Sequence, residues 1–567
     1  MTKIIKYSFF LLLFLTPALS FSQSVNAPLN RDYEHLIERY EIKTGKFSEN
    51  IHSHVKPYLR KNIVELTDSV ANNNNFLTER DKFNLTYLRN DSWEWAGDSA
   101  QNDSRKPILK TFYKKKSDFY NFQNEDFDVH VNPVMYFGYG SETNSNVRTY
   151  INTRGLELRG MIDKRIGFYT FLTENQITFP TYVRDRISSD LAVPNENYYR
   201  KLGDDPSSKT SDFITARGYI TFKVTKHIDV QFGHDKNFIG NGYRSMILSD
   251  YSGNYLFLKL SAQVWKIKYT NIFAQMTASD QSPLLKNYPK KFFTFHHLSV
   301  NIGKKLNIGL FESIITGAPD SLGGSHLNAE NLNPIIFYRA IELNTGSNGG
   351  NALLGLDFKY NFARHFSLYG QVVLDEFRLS EVKSGKGWWG NKQAGQIGLK
   401  YIDAFGLRNF DLQGEVNIAR PFTYSHETSF TNYTHYNQPL AHPMGANFNE
   451  FVGIARYQAL KRLNIIGKLV VNQFGADSSK TSSSNGGDVL KSYNKRNREY
   501  GYKIGSGIKT TLIYMDLTVS YQIKHNMFID LKQIIRNVHS DLPSLTQSTS
   551  ISSISFRWNI APREQVF

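Results

Sequence analysis

The sequence predicts an all-β chain: a transmembrane outer-membrane barrel of about eighteen antiparallel strands, preceded by a small helical part. Three observations carry this. Two-faced strands recur from residue 126 onward, and the connections between them alternate short and long. The mean hydropathy is only −0.43 although 14% of the 567 residues are aromatic. A barrel alternates lipid-facing and lumen-facing residues, so it reads as polar on average while still crossing a bilayer.

The clearest strand pair spans residues 514–532. Tyr514, Asp516, Thr518, Ser520 and Gln522 fall on one face, and Met515, Leu517, Val519, Tyr521 and Ile523 on the other. After the turn at Lys524-His525-Asn526 the alternation resumes, with Met527, Ile529 and Leu531 set against Asp530 and Lys532. This is a β-hairpin with one apolar and one polar face. The final strand, over residues 549–560, places Ile554, Phe556 and Trp558 toward lipid and Ser553, Ser555 and Arg557 opposite. A helical membrane protein needs runs of about 20 apolar residues, and none follows the N-terminal segment.

That segment sets the compartment. Lys3 and Lys6 precede a short apolar stretch over residues 9–15, and Ser20-Phe21-Ser22 offers small residues before Gln23. Residues 1–22 therefore read as a cleaved signal peptide. The chain has no cysteine, which excludes a disulfide or a lipid-modified cysteine. Its net charge is +16, and losing Lys3 and Lys6 lowers that by two, to +14. An exported basic chain meets anionic lipid headgroups or acidic glycans, not nucleic acid.

Residues 23–125 read as a periplasmic mixed or helical domain and residues 126–567 as the barrel. Asn30 caps a helix over residues 30–44, with Tyr33, Leu36, Ile37 and Tyr40 on one face. Thr78 opens a second, shorter helix. An apolar stripe needs a surface to bury it, and the periplasmic mouth of the barrel supplies one.

Short connections fall at Asp163-Lys164 and at residues 225–227, 303–305, 363–365, 404–408, 461–462 and 524–526. Long ones cover residues 178–212, 235–254, 277–291, 317–352, 380–391, 423–446 and 476–510. Bacterial barrels carry tight periplasmic turns, long outer loops and an even number of strands. Treating residues 500–509 as outer loop gives eighteen strands, with sixteen as the alternative. A soluble sandwich also alternates, but the strand lengths match the 9–11 residues of a tilted membrane strand.

No zinc helix, nucleophile elbow or Walker loop occurs, so no catalytic, cofactor or metal residue is assigned. His296 and His297 are adjacent on a strand and point to opposite faces, which gives them structural or solvated roles. Asp375 and Glu376 split in the same way, against a glycosidase pair. The loops offer more. Trp388 and Trp389 sit in one loop, and Tyr424, His426, Tyr433, His435 and Tyr436 crowd another. Exposed rings stack on sugars and nearby cations pair with acidic groups; the alternative is an aromatic girdle or loop packing. The segment GHDKNFIGNGYRS, residues 233–245, mixes glycines, amides and charges. It is expected to fold into the lumen, with Asp235, Lys236 and Arg244 in a polar network.

That segment resembles the Wzi-type capsule-assembly family of outer-membrane proteins, together with WKIKYTN at 265–271, NPIIFYR at 333–339, NALLGLD at 351–357 and KPY at 56–58. Within the family the likeness is to RemB-type gliding motility proteins. The resemblance covers most of the mature chain. It implies an eighteen-stranded barrel with a helical periplasmic part, no enzyme activity, and an outer surface that holds capsular polysaccharide, or that works with gliding machinery and adhesin proteins. A diffusion porin and a glycan-active enzyme are the rival expectations.

Overall fold

The computed structural model describes residues 23–72, 77–143, 145–278, 289–317, 329–335, 337 and 350–567. The proposed signal peptide lies outside these residues, as do Ile336, Tyr338 and Arg339 of the 333–339 string. Eighteen strands among the described residues close into one antiparallel barrel. The first six are β1 Phe127–Glu142, β2 Thr149–Ile162, β3 Ile166–Thr178, β4 Ser211–Thr225, β5 Ile228–Asp235 and β6 Tyr255–Val264. Next come β7 Ile267–Thr277, β8 Lys290–Ile302, β9 Leu306–Thr316, β10 Asn351–Phe362, β11 Phe366–Glu376 and β12 Lys392–Tyr401. The last are β13 Phe410–Ala419, β14 Phe448–Leu460, β15 Leu463–Ala476, β16 Ile508–Lys524, β17 Met527–Ser540 and β18 Gln547–Trp558. Each pairs with its sequence neighbour, and β18 pairs with β1 from Ile551↔Glu142 to Trp558↔Met135. Closure removes both sheet edges, as a bilayer demands.

The alternation read from the sequence holds in β16. Met515, Leu517 and Tyr521 are exposed on the outer wall, Leu517 at 52%, while Asp516, Ser520 and Gln522 are buried inside. Eight connections lie at one end of the barrel, seven of them of two or three residues, and nine at the other, of which those at residues 143–148 and 541–546 are as short as six. In the tight turns Asp163 and Lys164, and Ala363 and Arg364, take positive φ near 50–56°. Paired left-handed residues match the twist of antiparallel strands. One hairpin was not legible: Trp265 and Lys266 join β6 to β7, with Trp265 at φ 53°. A tryptophan is no turn signal in sequence, so that pair reads as strand.

The short-turn mouth is closed by helices α1 Arg31–Thr44, α2 Arg60–Ala71 and α3 Glu79–Asp91. The Asn30 side chain accepts from the Asp32 and Tyr33 amides at the start of α1, and Thr78 and Asp81 form a reciprocal capping box on α3. Sequence reading missed α2, because Leu59 precedes it without a side-chain cap. Tyr33, Ile37, Tyr40, Ile63, Leu66, Val70, Leu85 and Leu88 form one shared core. The helices also grip the turns: Phe47 N donates to Lys304 O at 3.0 Å, Gln23 N to Lys164 O at 2.8 Å, and Thr78 Oγ1 to Asn409 Oδ1 at 3.1 Å.

From this base α1 sends charges into the lumen. Arg39 pairs with Asp403 and Asp411, Glu38 with Lys400, and Glu41 with Lys359 at 2.9 Å. Lys56 bonds both Glu34 and Glu38 at 3.0 Å. Burial alone would raise the Glu38 carboxyl, but Lys400, Lys56 and Lys359 around it hold it well below the ordinary value of 4.5. Asp91, beside Arg60 and His525, is likewise held well below the usual carboxylate range against the effect of its burial. A carboxyl with a depressed folded pKa stabilises above its unfolded value and loses that contribution as pH falls through the folded one. Protease resistance of residues 23–125 in the purified barrel is therefore expected to stay constant from pH 8 down to roughly 5 and to fall only at more acidic pH. Cleavage that rises between pH 8 and 6 contradicts the assignment.

Candidate functional site: a filled lumen beneath an aromatic and basic loop surface

Residues 236–254 leave β5 at the long-loop end and descend into the barrel. Phe238 and Ile239 form a two-residue ladder with Lys56 and Val55 of the N-terminal segment, so material from both mouths meets inside. The descending segment is held by the wall: Glu415 accepts from the Tyr243 and Arg244 amides at 2.7 and 3.0 Å, and Gln371 from the Met246 amide at 2.7 Å. Glycine matters at Gly242, where a Cβ would lie 2.4 Å from Glu415 Oε2. Residues 420–447 add a second inward loop, with Ser249 Oγ donating to Leu440 O at 3.2 Å. Residues 559–567 turn back inside as well, where Arg244 donates to Val566 O at 2.8 Å.

The three expected luminal residues are all buried, but they do not form one network. Arg244 makes a two-point pair with Glu450 at 3.0 and 3.1 Å, and Glu450 also meets His442 at 2.8 Å. Lys236 instead donates to the Asn195 and Asp250 carbonyls, and Asp235 ends β5 opposite Tyr255. Spacing along the chain brought them together in the sequence reading, whereas the loop's descent separates them in space. A cavity of about 220 Å³ remains among these elements, lined by Asp91, Asp118, Glu157, Arg159, Arg217 and Arg563. It falls below the roughly 300 Å³ at which small-molecule sites begin.

Apolar contacts add to this filling. Met246, Ile247 and Leu248 pack with Tyr255, Phe257, Phe293, Phe295, Tyr424, Tyr433 and Leu440 in a core inside the barrel. This corrects the reading of three loop aromatics. Tyr424 and Tyr433, each 1% exposed, donate their hydroxyls to Met246 O and Ile247 O at 2.6 and 2.9 Å. His435 is buried between Thr277 N and Asn254 O, each at 3.0 Å. None of these rings faces solvent, because the loop carrying them folds inward. Burial lowers His435 to about 3 and His426 to about 4, so both are neutral near pH 7 and supply no charge to an acidic glycan. His426 and Tyr436 are half-buried.

The two indoles lie elsewhere. Trp388 and Trp389, half-buried at the long-loop end, have ring centroids 5.8 Å apart. Trp389 Nε1 donates to Glu499 Oε2 at 2.7 Å; the Arg496 guanidinium stands 4.1 Å from its ring and Tyr493 lies 4.8 Å away. Arg378 covers Trp388 at 4.7 Å. The loops are locked by backbone bonds, Gly501 N to Lys386 O at 2.9 Å and Tyr502 N to Gly387 O at 3.0 Å. Around them Lys386, Lys495, Arg498 and Tyr500 are exposed. Tyr493, Arg496, Arg498 and Tyr500 were missed in sequence. Their run, YNKRNREY at 493–500, was visible as a string, but only the contact between the two loops joins it to the tryptophans.

Asp375 and Glu376 do not split cleanly. A register shift after Leu374 lets Lys392 reach both, at 3.7 and 3.1 Å.

A closed eighteen-stranded outer-membrane barrel, plugged from both ends and carrying aromatic and basic loops, is the class this architecture defines. The family model for the capsule assembly protein Wzi matches residues 170–488, and the chain belongs to that family. Among solved structures it is similar to Escherichia coli Wzi, described as an outer-membrane, carbohydrate-binding β-barrel involved in group 1 capsule assembly. The two share 13% identity at a TM-score of 0.57, covering 96% of this chain and all of that one. Pseudomonas aeruginosa OprE, at 9% identity, 76% and 97% coverage and a TM-score of 0.42, and OprD, at 10%, 76%, 94% and 0.41, are too distant to carry a functional argument. No curated protein sequence matches.

Removing Arg244 would take the guanidinium from Glu450 and leave it only His442 and Asn417 in the interior, and breaking such a buried pair costs about 3–5 kcal/mol. Arg244→Ala is expected to lower the temperature at which the barrel loses its folded gel mobility, and Arg244→Lys to lower it less. Equal stability of both variants and the parent contradicts this account of the seal.

Proposed function

We propose that this protein holds surface polysaccharide at the outer face of the outer membrane, without enzyme activity. The observation that carries the reading is the combination of a filled lumen with the Trp388 and Trp389 loop surface. A filled lumen does not favour diffusion of solutes, which leaves the loops as the working surface. Aromatic planes stack on sugar rings, and Arg378, Lys386, Arg496 and Arg498 suit an acidic capsular glycan. The buried Tyr424, Tyr433 and His435 serve as supports. Contact falls to the tryptophans and, at the edge, to His426 and Tyr436.

In this reading the short turns face the periplasm, as is general for such barrels. Residues 23–125 form a periplasmic domain that stoppers the barrel, and residues 1–22 are the signal peptide that exports the chain. Lys392 fixes Asp375 and Glu376, an arrangement that suits loop anchoring better than glycoside hydrolysis.

A deletion strain is expected to shed polysaccharide into the medium while its colonies spread normally. Complementation with Trp388→Ala/Trp389→Ala is expected to leave the barrel folded and to restore retention by less than half. Normal retention with lost spreading would instead place the protein with the gliding machinery and its adhesins. Full retention by the double variant removes the tryptophans from the site.

A further inference from the structure

Below the loops, on the wall facing the N-terminal segment, one cluster is used by neither the seal nor the proposed glycan surface. His297 on β8 and Asp357 on β10 reach across β9, and His297 Nε2 meets Asp357 Oδ2 at 2.5 Å. They meet over Gly309, where a Cβ would stand 2.5 Å from each of those two atoms. A glycine here keeps open the space where the two side chains converge. From the N-terminal segment, the His54 ring comes within 4.7 Å of the His297 ring. One ligand atom from each of the three residues lies within 4.8 Å of the other two, and all three residues are buried.

The existing pair leaves polar capacity unused. His54 Nε2, His297 Nδ1 and Asp357 Oδ1 are buried with no hydrogen-bond partner in the structure. Each of the three residues therefore keeps a polar atom that a ligand could satisfy. His54 is well placed to keep still: its carbonyl accepts from Gly240 N at 2.7 Å. Phe295 stacks beside His297 at 6.3 Å, shielding that side from water. Lys359 and Lys268 also face His54, but Lys359 is neutralised by Glu41 at 2.9 Å.

We propose that His54, His297 and Asp357 bind a divalent transition-metal ion of the zinc class, which pins the N-terminal segment to the barrel wall. Two imidazoles and a carboxylate suit zinc, cobalt or nickel, whereas calcium and magnesium prefer all-oxygen sites. Tetrahedral zinc ligands stand about 3.3 Å apart, given bonds near 2.0–2.1 Å. The adjacent His296 belongs to a different environment, bonded to Tyr269 at 2.8 Å, and takes no part.

The test uses the untagged full-length barrel in detergent, stripped with a chelator and then titrated with zinc, and in parallel with cobalt. The parent is expected to take up about one zinc per chain and to resist heat-induced loss of folded gel mobility by several degrees more than the stripped form. Cobalt is expected to give the intense visible bands of a low-coordinate site. His54→Ala lies outside the wall, so it is expected to fold, to bind at least tenfold more weakly and to lose the thermal gain. Asp357→Asn repeats the test with an isosteric change, and His296→Ala is expected to match the parent. No stoichiometric uptake by the parent, or undiminished uptake by folded His54→Ala, overturns the proposal. Should the variants fail to fold, a parent cobalt spectrum typical of six-coordinate surface sites overturns it as well.

Discussion

The structure depends on how the lumen-facing charges of the wall are satisfied. A barrel strand must place every second side chain inward, and here those side chains include Lys359, Lys400, Asp411, Glu415 and Glu450, all buried. In a wide pore, water would solvate them. In this chain α1 and the descending segment 236–254 do so, through Glu41, Glu38, Arg39, the Tyr243 and Arg244 amides and the Arg244 guanidinium. Breaking one side of such a buried pair is costly because it strands the other charge. Plug and wall therefore specify each other.

That coupling shapes the division of labour between the two mouths. At the short-turn end three helices share one apolar core and hold the turns. At the other end α4, Thr181–Asp190, packs through Tyr182, Val183 and Ile187 with Tyr243, Tyr251 and Phe567. With the interior taken up by protein, contact with large molecules falls to the outer loops. There Trp388 and Trp389 are braced by Tyr493, Arg378 and Arg496. Bracing holds the rings in place before a ligand arrives, which reduces the ordering cost of binding.

Much of the barrel was legible because a two-residue period is strictly local. Asp516 and Leu517 announce their opposite faces without knowledge of their neighbours, whereas the connections at residues 143–148, 265–266 and 541–546 stand outside the rhythm of short and long read from the sequence. Helices α1 and α3 announced themselves through Asn30 and Thr78, whereas α2 lacks such a signal. The site was less legible because it is made by loops meeting across space. Tyr424 and Tyr433 look like exposed aromatics until their loop turns inward and buries them, and Arg496 joins Trp389 only through the pairing of two distant loops. Asp375 and Glu376 depended on a single register shift that no pattern of residue types predicts.

Conductance of the purified parent protein in a planar lipid bilayer tests the central claim most directly. A barrel sealed by α1, residues 236–254 and residues 420–447 is expected to insert without opening a steady ion-conducting path at neutral pH. Stable, voltage-independent steps of porin size in the full-length protein would contradict the sealed lumen, and with it the assignment of function to the outer loops.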